Sequence, residues 1–263
     1  MITSHTNKGI KEVIQLAQKA KVRKEKELFV SEGIKMFLEA PTEQIYKVYT
    51  SASFSEQMPA LCKDKLDSIS SLHEMVSDEV FKKMSDTTTP QGILCVMRQK
   101  KYSIDSMLTT PAPLLVILED IQDPGNLGTI FRSGEGAGVT GIIMSSSTVD
   151  IYNPKTIRST MGSVYRMPFV YVENIGNTIN ELQKRNIKVY AAHLQGSKPY
   201  DVCDYTKGSA FLVGNESKGL KDETAANADV HIKIPMLGEV ESLNAAVAAS
   251  ILLYEAARQR RTG

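Results

Sequence analysis

The stretch Leu114-Leu115-Val116-Ile117-Leu118-Glu119-Asp120-Ile121-Gln122-Asp123-Pro124-Gly125-Asn126-Leu127-Gly128-Thr129-Ile130-Phe131-Arg132 decides the fold. Five aliphatic residues in a row do not alternate, so they do not suit a strand with one wet face. They suit a strand covered on both faces of a parallel sheet. Asp-Pro-Gly then turns the chain sharply. A helix is predicted from about Asn126, whose side chain suits a capping position, to Gly136. Working outward, the same texture continues to the end of the chain. Strands are predicted at Gly141–Met144, Phe169–Val172, Lys188–Ala192, Ala210–Gly214 and Val230–Ile234. Helices are predicted at Ile175–Arg185 and from Ser242 to about Arg260. Strands alternating with helices predict an α/β fold with a parallel sheet over residues 114–263.

In the other direction, Thr109-Thr110-Pro111-Ala112-Pro113 reads as a linker, and we assign residues 106–113 to it. Residues 1–105 read as a separate small α/β domain. Its strands are Leu28–Val30, Ile45–Thr50 and Ile93–Met97. One helix is expected to be capped by Ser31 and to run to Glu39, and another to run from Ser77 to Met84. Val13–Lys26 reads as a helix followed by a basic stretch.

The 263 residues carry a net charge of +1, and 42% are hydrophobic, as in soluble globular proteins. Global charge therefore does not announce a nucleic-acid or membrane binder, although residues 1–35 carry a net +4. The longest apolar run, Ala245 to Leu253, is broken by Ser250 and is too short to suggest a membrane span. Met1-Ile2-Thr3-Ser4-His5 shows no apolar signal core. Cys62, Cys95 and Cys203 form no Cys-x-x-Cys, so the expectation is a reducing, cytoplasmic setting with buried thiols and no metal site.

Familiar nucleotide and hydrolase signatures are absent. Gly134, Gly136 and Gly138 give G-x-G-x-G at a helix end, not the dinucleotide fingerprint. Gly214 to Gly219 has P-loop spacing but is followed by Leu220-Lys221, without the hydroxyl that a P-loop needs. There is no G-x-S-x-G, no H-E-x-x-H, and the histidines at His5, His73, His193 and His231 are scattered.

Three segments remain, each at the carboxyl end of a predicted strand, where open parallel sheets bind ligands. The first runs from Glu119 to Arg132. The second is Gly214-Asn215-Glu216-Ser217-Lys218-Gly219-Leu220. The third is Ile234-Pro235-Met236 followed by Ser242-Leu243-Asn244-Ala245-Ala246-Val247-Ala248. Ser242 is a natural helix cap, and Leu243, Val247, Ile251 and Tyr254 form an apolar stripe suited to packing.

Together these segments resemble the motifs of the SpoU (TrmH-like) family of RNA ribose 2′-O-methyltransferases, within the SPOUT class. Asn126-x-Gly128-x-x-x-Arg132 resembles the first motif, and the other two segments resemble the second and third. Asn153-Pro154-Lys155 and Arg158-Ser159-Thr160-Met161-Gly162-Ser163 are similar to the family's intervening segment. Residues 1–105 resemble, more loosely, the L30-like RNA-binding domain that often precedes this catalytic domain. The resemblance implies a trefoil knot near residues 190–250. It implies S-adenosyl-L-methionine bound near Leu194, Gly214, Ile234, Met236 and Leu243. It implies Arg132 at the reaction, as base or electrostatic stabiliser, with Asn126, Glu216, Ser242 and Asn244 as orienting groups. It further implies a homodimer acting on RNA, with ribosomal RNA ahead of transfer RNA. The alternatives are a SPOUT base methyltransferase, against which the Asn-x-Gly-x-x-x-Arg segment favours ribose, and a non-catalytic RNA-binding or ribosome-assembly factor, which would not need Asn126, Arg132, Glu216 and Asn244 together.

Overall fold

The computed structural model describes residues 1–193 and 198–262, and the chain divides into two units. Met1–Lys100 and Asp150–Tyr165 form the first. Lys101–Val149 and the chain from Arg166 onward form the second.

In the first unit, α1 (Lys8–Gln18) and α2 (Ala20–Lys26) lead into β1 (Leu28–Glu32), α3 (Ile34–Glu39) and β2 (Ile45–Ser51). Then follow α4 (Ala52–Glu56), α5 (Ala60–Ser68), β3 (His73–Val76), α6 (Asp78–Met84) and β4 (Ile93–Arg98). The sheet has the order β1-β4-β2-β3, with β4 antiparallel to β1 and β2, and β2 parallel to β3. Ile10, Val13 and Leu16 recur at helical spacing and bury one face of α1 against this sheet's core. Ser77 caps α6 as expected, accepting from the Val80 N–H. Ser31 does not cap α3. It remains in β1, where its hydroxyl shares a buried 2.7 Å hydrogen bond with the Tyr165 hydroxyl, and Gly33 takes the cap position with φ +110°. That backbone angle is one that glycine adopts readily. The strand β3 and the helices α4 and α5 are additions to the predicted elements; α4 buries no residue and α5 only Cys62 and Leu66, too few to mark a helical face in the sequence.

The second unit begins with α7 (Ile104–Met107), β5 (Leu114–Leu118), α8 (Pro124–Ala137) and β6 (Gly141–Ser145). The chain then enters the first unit through Asp150–Tyr165, which carries α9 (Pro154–Thr160). Arg23, 4% exposed, holds this segment. Its guanidinium meets Asp150 Oδ2 at 2.7 and 2.8 Å and donates to the Leu16 and Ala17 carbonyls. The Phe29 and Tyr152 rings lie 4.6 Å apart beside it. Back in the second unit come β7 (Phe169–Val172), α10 (Ile175–Lys184), β8 (Lys188–Ala192) and β9 (Lys198–Pro199). The chain finishes with β10 (Ser209–Val213), α11 (Asp222–Ala225), β11 (Val230–Lys233) and α12 (Ala245–Thr262).

This sheet has the order β7-β6-β5-β10-β8-β11-β9, and every pairing is parallel. The five residues of β5 are all fully buried, as a continuous aliphatic run in a central strand requires. Two helix starts differ from expectation. Asp123, not Asn126, caps α8, accepting from the Asn126 N–H at 2.8 Å, with Pro124 in the first helical position. Asn244, not Ser242, caps α12, accepting from the N–H groups of Ala246 and Val247. The α12 face packed inward is Ala245, Ala246, Ala249, Leu252, Leu253 and Ala256. The stripe expected to pack lies on the other side, with Val247 47% and Tyr254 51% exposed. Cys62 and Cys95 are buried, while Cys203 is only half-buried. Among the described residues, no helix is long and apolar enough to cross a membrane.

Candidate active site

The site grows from the carboxyl ends of three neighbouring strands, β8, β10 and β11. Beyond Val213, the buried Gly214 passes so close to the returning chain that an added Cβ would lie 2.4 Å from Gly219 C and Leu220 N. Only hydrogen fits there. The loop between them closes as a small antiparallel bridge: the Asn215 N–H donates to the Gly219 carbonyl at 3.1 Å, and the Gly219 N–H returns the bond at 2.9 Å. The Asn215 side chain fills the loop, accepting from the N–H groups of Ser217 and Lys218 and donating to the Asp120 carbonyl at 2.7 Å. The second motif is thereby fastened to the chain leaving β5.

Glu216 then joins three separate segments. Its carboxylate accepts from the Gln122 N–H at 3.2 Å, the Asp123 N–H at 3.1 Å and Asn126 Nδ2 at 3.0 Å. Asn126 Oδ1 in turn accepts from Asn244 Nδ2 at 2.9 Å. Because Asp123 caps the helix, the Asn126 amide is free to make this link. Burial pushes the Glu216 carboxyl up, but the hydrogen bonds from Asn126 and the backbone outweigh it and hold the group below its ordinary value. Glu216 is thus an anion at neutral pH.

A cavity of about 570 Å³ opens against this network. Gly214, Ile234, Met236 and Leu243, four of the residues expected at the cofactor, line it. Leu194, the fifth, lies outside the described residues. Glu216 and Ser242 also line the cavity, and Asn126 and Asn244 bond to one another beside Glu216. Arg132 is not among the lining residues. It is exposed on α8 and has no ion-pair or hydrogen-bond partner among the described residues. Among those residues, no His/Cys/Asp/Glu cluster could hold a metal.

The donor set fits S-adenosylmethionine. Aliphatic walls from Val213, Ile232, Ala248 and Leu252 suit an adenosyl group, and the loops Gly214–Gly219 and Ile234–Leu243 border the same space. The charged residues of the lining, Glu216 and Glu241 against Lys218 and Lys233, balance in number, which suits a ligand that carries both a cation and a carboxylate.

Comparison with known proteins decides the family. The SpoU rRNA methylase family profile matches residues 113–254, more than half of the chain, and an MRM3-like substrate binding domain matches residues 7–95. The chain belongs to the SpoU rRNA methylase family. It is accordingly a methyltransferase that draws its methyl group from S-adenosylmethionine. Among its SpoU relatives, the 23S rRNA (guanosine(2553)-2′-O)-methyltransferase RlmP of Bacillus subtilis is 35% identical over 182 residues, covering 68% of this chain and 70% of the relative. The AdoMet-bound rRNA methyltransferase of Sinorhizobium meliloti superposes with a TM-score of 0.83 at 32% identity, covering 98% of this chain and 97% of that one. The SpoU methyltransferase AviRb of Streptomyces viridochromogenes, in complex with AdoMet, gives 0.87 at 25% identity, over 98% and 100% of the two chains.

Some supporting residues of this SpoU chain escape a reading of the sequence. Glu119, 3% exposed, accepts from the Thr224 hydroxyl at 2.5 Å and the Lys221 N–H at 2.9 Å, tying the segment after the second motif to the end of β5. Asp120 has φ +57° and exchanges hydrogen bonds with the Ser145 hydroxyl. Two acids directly after a buried strand are the available signal, since an unpaired carboxylate is costly there.

Proposed function

We propose that this chain methylates a ribose 2′-hydroxyl of ribosomal RNA. The observation that carries the proposal is the Glu216–Asn126–Asn244 chain, which binds the three motif segments around one cavity of cofactor size. The Sinorhizobium meliloti relative, which matches the chain end to end, is named for ribosomal RNA, and this favours ribosomal over transfer RNA.

In this reading, Gly214, Ile234, Met236 and Leu243 hold the adenosyl group. Bound S-adenosylmethionine supplies an electrophilic methyl on a sulfonium sulfur. Transfer would form an oxygen–carbon bond as the sulfur–carbon bond breaks, leaving S-adenosylhomocysteine, with the hydroxyl proton passing to solvent. Glu216, Asn126, Ser242 and Asn244 keep the loops in register. Arg132 supplies positive charge to the developing alkoxide and orients a flanking phosphate, because a guanidinium is a poor base but a strong directional donor.

The exposed position of Arg132 supports a homodimer in which Arg132 serves the cavity of the partner subunit. Val247 and Tyr254, exposed on α12, supply apolar area for that contact, and Gly136 of α8 lies directly beside the Tyr254 hydroxyl. A Val247→Glu, Tyr254→Glu double variant should sediment as a monomer. This reading includes a knot over residues 190–250, supported by family membership, a cytoplasmic setting, and functional domains at 1–105 and 114–263, with the segment Asp150–Tyr165 of the latter packed into the first unit. The experiment that tests the function is transfer of labelled methyl from S-adenosylmethionine to ribosomal RNA, followed by mapping of ribose methylation. Methyl found on a base, or none transferred by a folded, cofactor-binding protein, would refute the proposal.

A further inference from the structure

The first unit contains a second cavity, of about 450 Å³, bordered by Phe54, Asp78, Lys82, Pro90, Gln91 and Gly92. Its walls converge because Gly92 lacks a side chain. Gly92 has φ +81°, and a Cβ there would lie 2.5 Å from Phe54 Cβ and 2.9 Å from Ser51 Oγ. The Phe54 side chain therefore emerges against the backbone of Gly92, and it is only half-buried.

The polar groups around it are placed with unused capacity. Gln91 Oε1 accepts from the Ile34 N–H at 2.8 Å, which anchors the side chain and leaves Nε2 as a donor. One Asp78 oxygen, Oδ1, accepts from both the N–H and the hydroxyl of Ser53. These bonds, with a further one from the Ser51 side chain, hold the Asp78 carboxyl below its ordinary value, so this exposed group is an acceptor at neutral pH. Lys82 is exposed and carries no ion pair among the described residues. An aromatic face, an anchored amide donor, a carboxylate acceptor and an exposed cation around one opening are the chemistry that recognises a nucleotide: a ring to stack on, groups for a base edge and a charge for a phosphate.

We propose that this cavity receives one unstacked nucleotide of the RNA substrate, with Phe54 as the stacking surface, Asp78 and Gln91 on the base edge and Lys82 on a phosphate. The proposal rests on the reading of the chain as an RNA methyltransferase, and it makes the first unit a nucleotide-specific clamp rather than a general basic surface. Four of the eight basic residues within residues 1–35, namely Lys21, Arg23, Lys26 and Lys35, are already paired with carboxylates. Charge in that region is therefore a weak source of selectivity.

The test is binding of a fluorescently labelled ribosomal RNA fragment to the full chain, measured by anisotropy, with methyl transfer followed separately. Phe54→Leu keeps an apolar side chain but removes the ring face, and should weaken RNA binding about tenfold. Phe54→Tyr should restore affinity to within about twofold, which a packing role alone would not demand. Lys82→Gln should reduce the salt dependence of binding. Cofactor affinity, measured by calorimetry, should be the same in all three. Irradiation of RNA carrying 4-thiouridine should cross-link to the peptide that contains Phe54. Unchanged affinity in Phe54→Leu, equal losses in the leucine and tyrosine variants, or cross-links confined to other peptides would overturn the proposal. Wild-type protein that binds RNA in this Phe54-dependent way but transfers no methyl would refute the enzymatic reading and leave the clamp standing.

Discussion

Replacing Glu216 with glutamine tests whether the carboxylate organises the cofactor loops. The change keeps the shape and removes the charge. Two donors, the Asp123 N–H and Asn126 Nδ2, converge on Oε1, and one, the Gln122 N–H, reaches Oε2. The best orientation of the introduced amide would keep its oxygen toward the first two donors and turn its NH₂ toward the third. Hydrogen bonds to a charged acceptor contribute about 1.5–3 kcal/mol and neutral ones about 1, so each retained bond weakens by roughly 0.5 kcal/mol. The donor opposed by NH₂ loses its partner, but Gln122 is exposed and water reclaims part of the loss, leaving about 1 kcal/mol. The sum is about 2 kcal/mol, or roughly 30-fold in an equilibrium constant.

Two assays read this out. Calorimetry with S-adenosylhomocysteine should show about 30-fold weaker binding if the network shapes the empty cavity. Urea unfolding across pH supplies the sign. The folded-state value of Glu216 lies below its ordinary 4.5, so its contribution is present above that value and is lost as the pH falls through the lower, folded one. The wild type should exceed Glu216→Gln by about 2 kcal/mol at pH 7 and converge with it in acid. Equal stability and equal cofactor affinity at pH 7, or a gap that widens on acidification, would refute the reasoning.

Arg132→Ala should lower kcat at least about 100-fold and leave cofactor affinity within about twofold, since the side chain lies outside the cavity lining; single-turnover methyl transfer and calorimetry check the two halves. Gly214→Ala must relieve a 2.4 Å approach to backbone, and overpacking of that kind costs about 1–3 kcal/mol, so cofactor affinity should fall at least about tenfold in the same calorimetry. Arg23→Met removes the guanidinium from Asp150, which is 29% exposed and keeps its bond from the Tyr152 N–H, at a cost of about 2 kcal/mol; thermal unfolding should begin several degrees lower, while cofactor affinity stays unchanged.

What the sequence revealed, and what it concealed, follows the range over which each residue acts. The run Leu114 to Leu118 was legible because burial on both faces needs nothing but consecutive aliphatic residues, and β5 occupies those five positions. The loop Gly214–Gly219 was legible for a related reason: its two glycines border a close backbone approach, and glycine is what such an approach requires. Capping assignments failed where two candidates stood close together. Asp123 and Asn126 can each end a helix, and so can Ser242 and Asn244. At α8 the choice follows from Glu216 claiming the Asn126 amide, a contact 90 residues away that local sequence does not carry.

The same competition explains how the site is built. A side-chain atom engaged in capping is not free to reach across the fold, so Asp123 taking the cap of α8 leaves the whole Asn126 amide for Glu216 and Asn244. Asn244 performs both tasks by dividing its atoms: Oδ1 caps α12 and Nδ2 reaches Asn126. An aspartate in its place would keep the cap but turn a second acceptor toward Asn126 Oδ1, where a donor is needed. A serine would keep the cap and fall short. The amide of Asn244 is therefore fixed by two geometric demands at once, as the amide of Asn126 is by its position between a carboxylate and a second amide. The chemistry of the third motif thus follows from the hydrogen-bond directions of the first two.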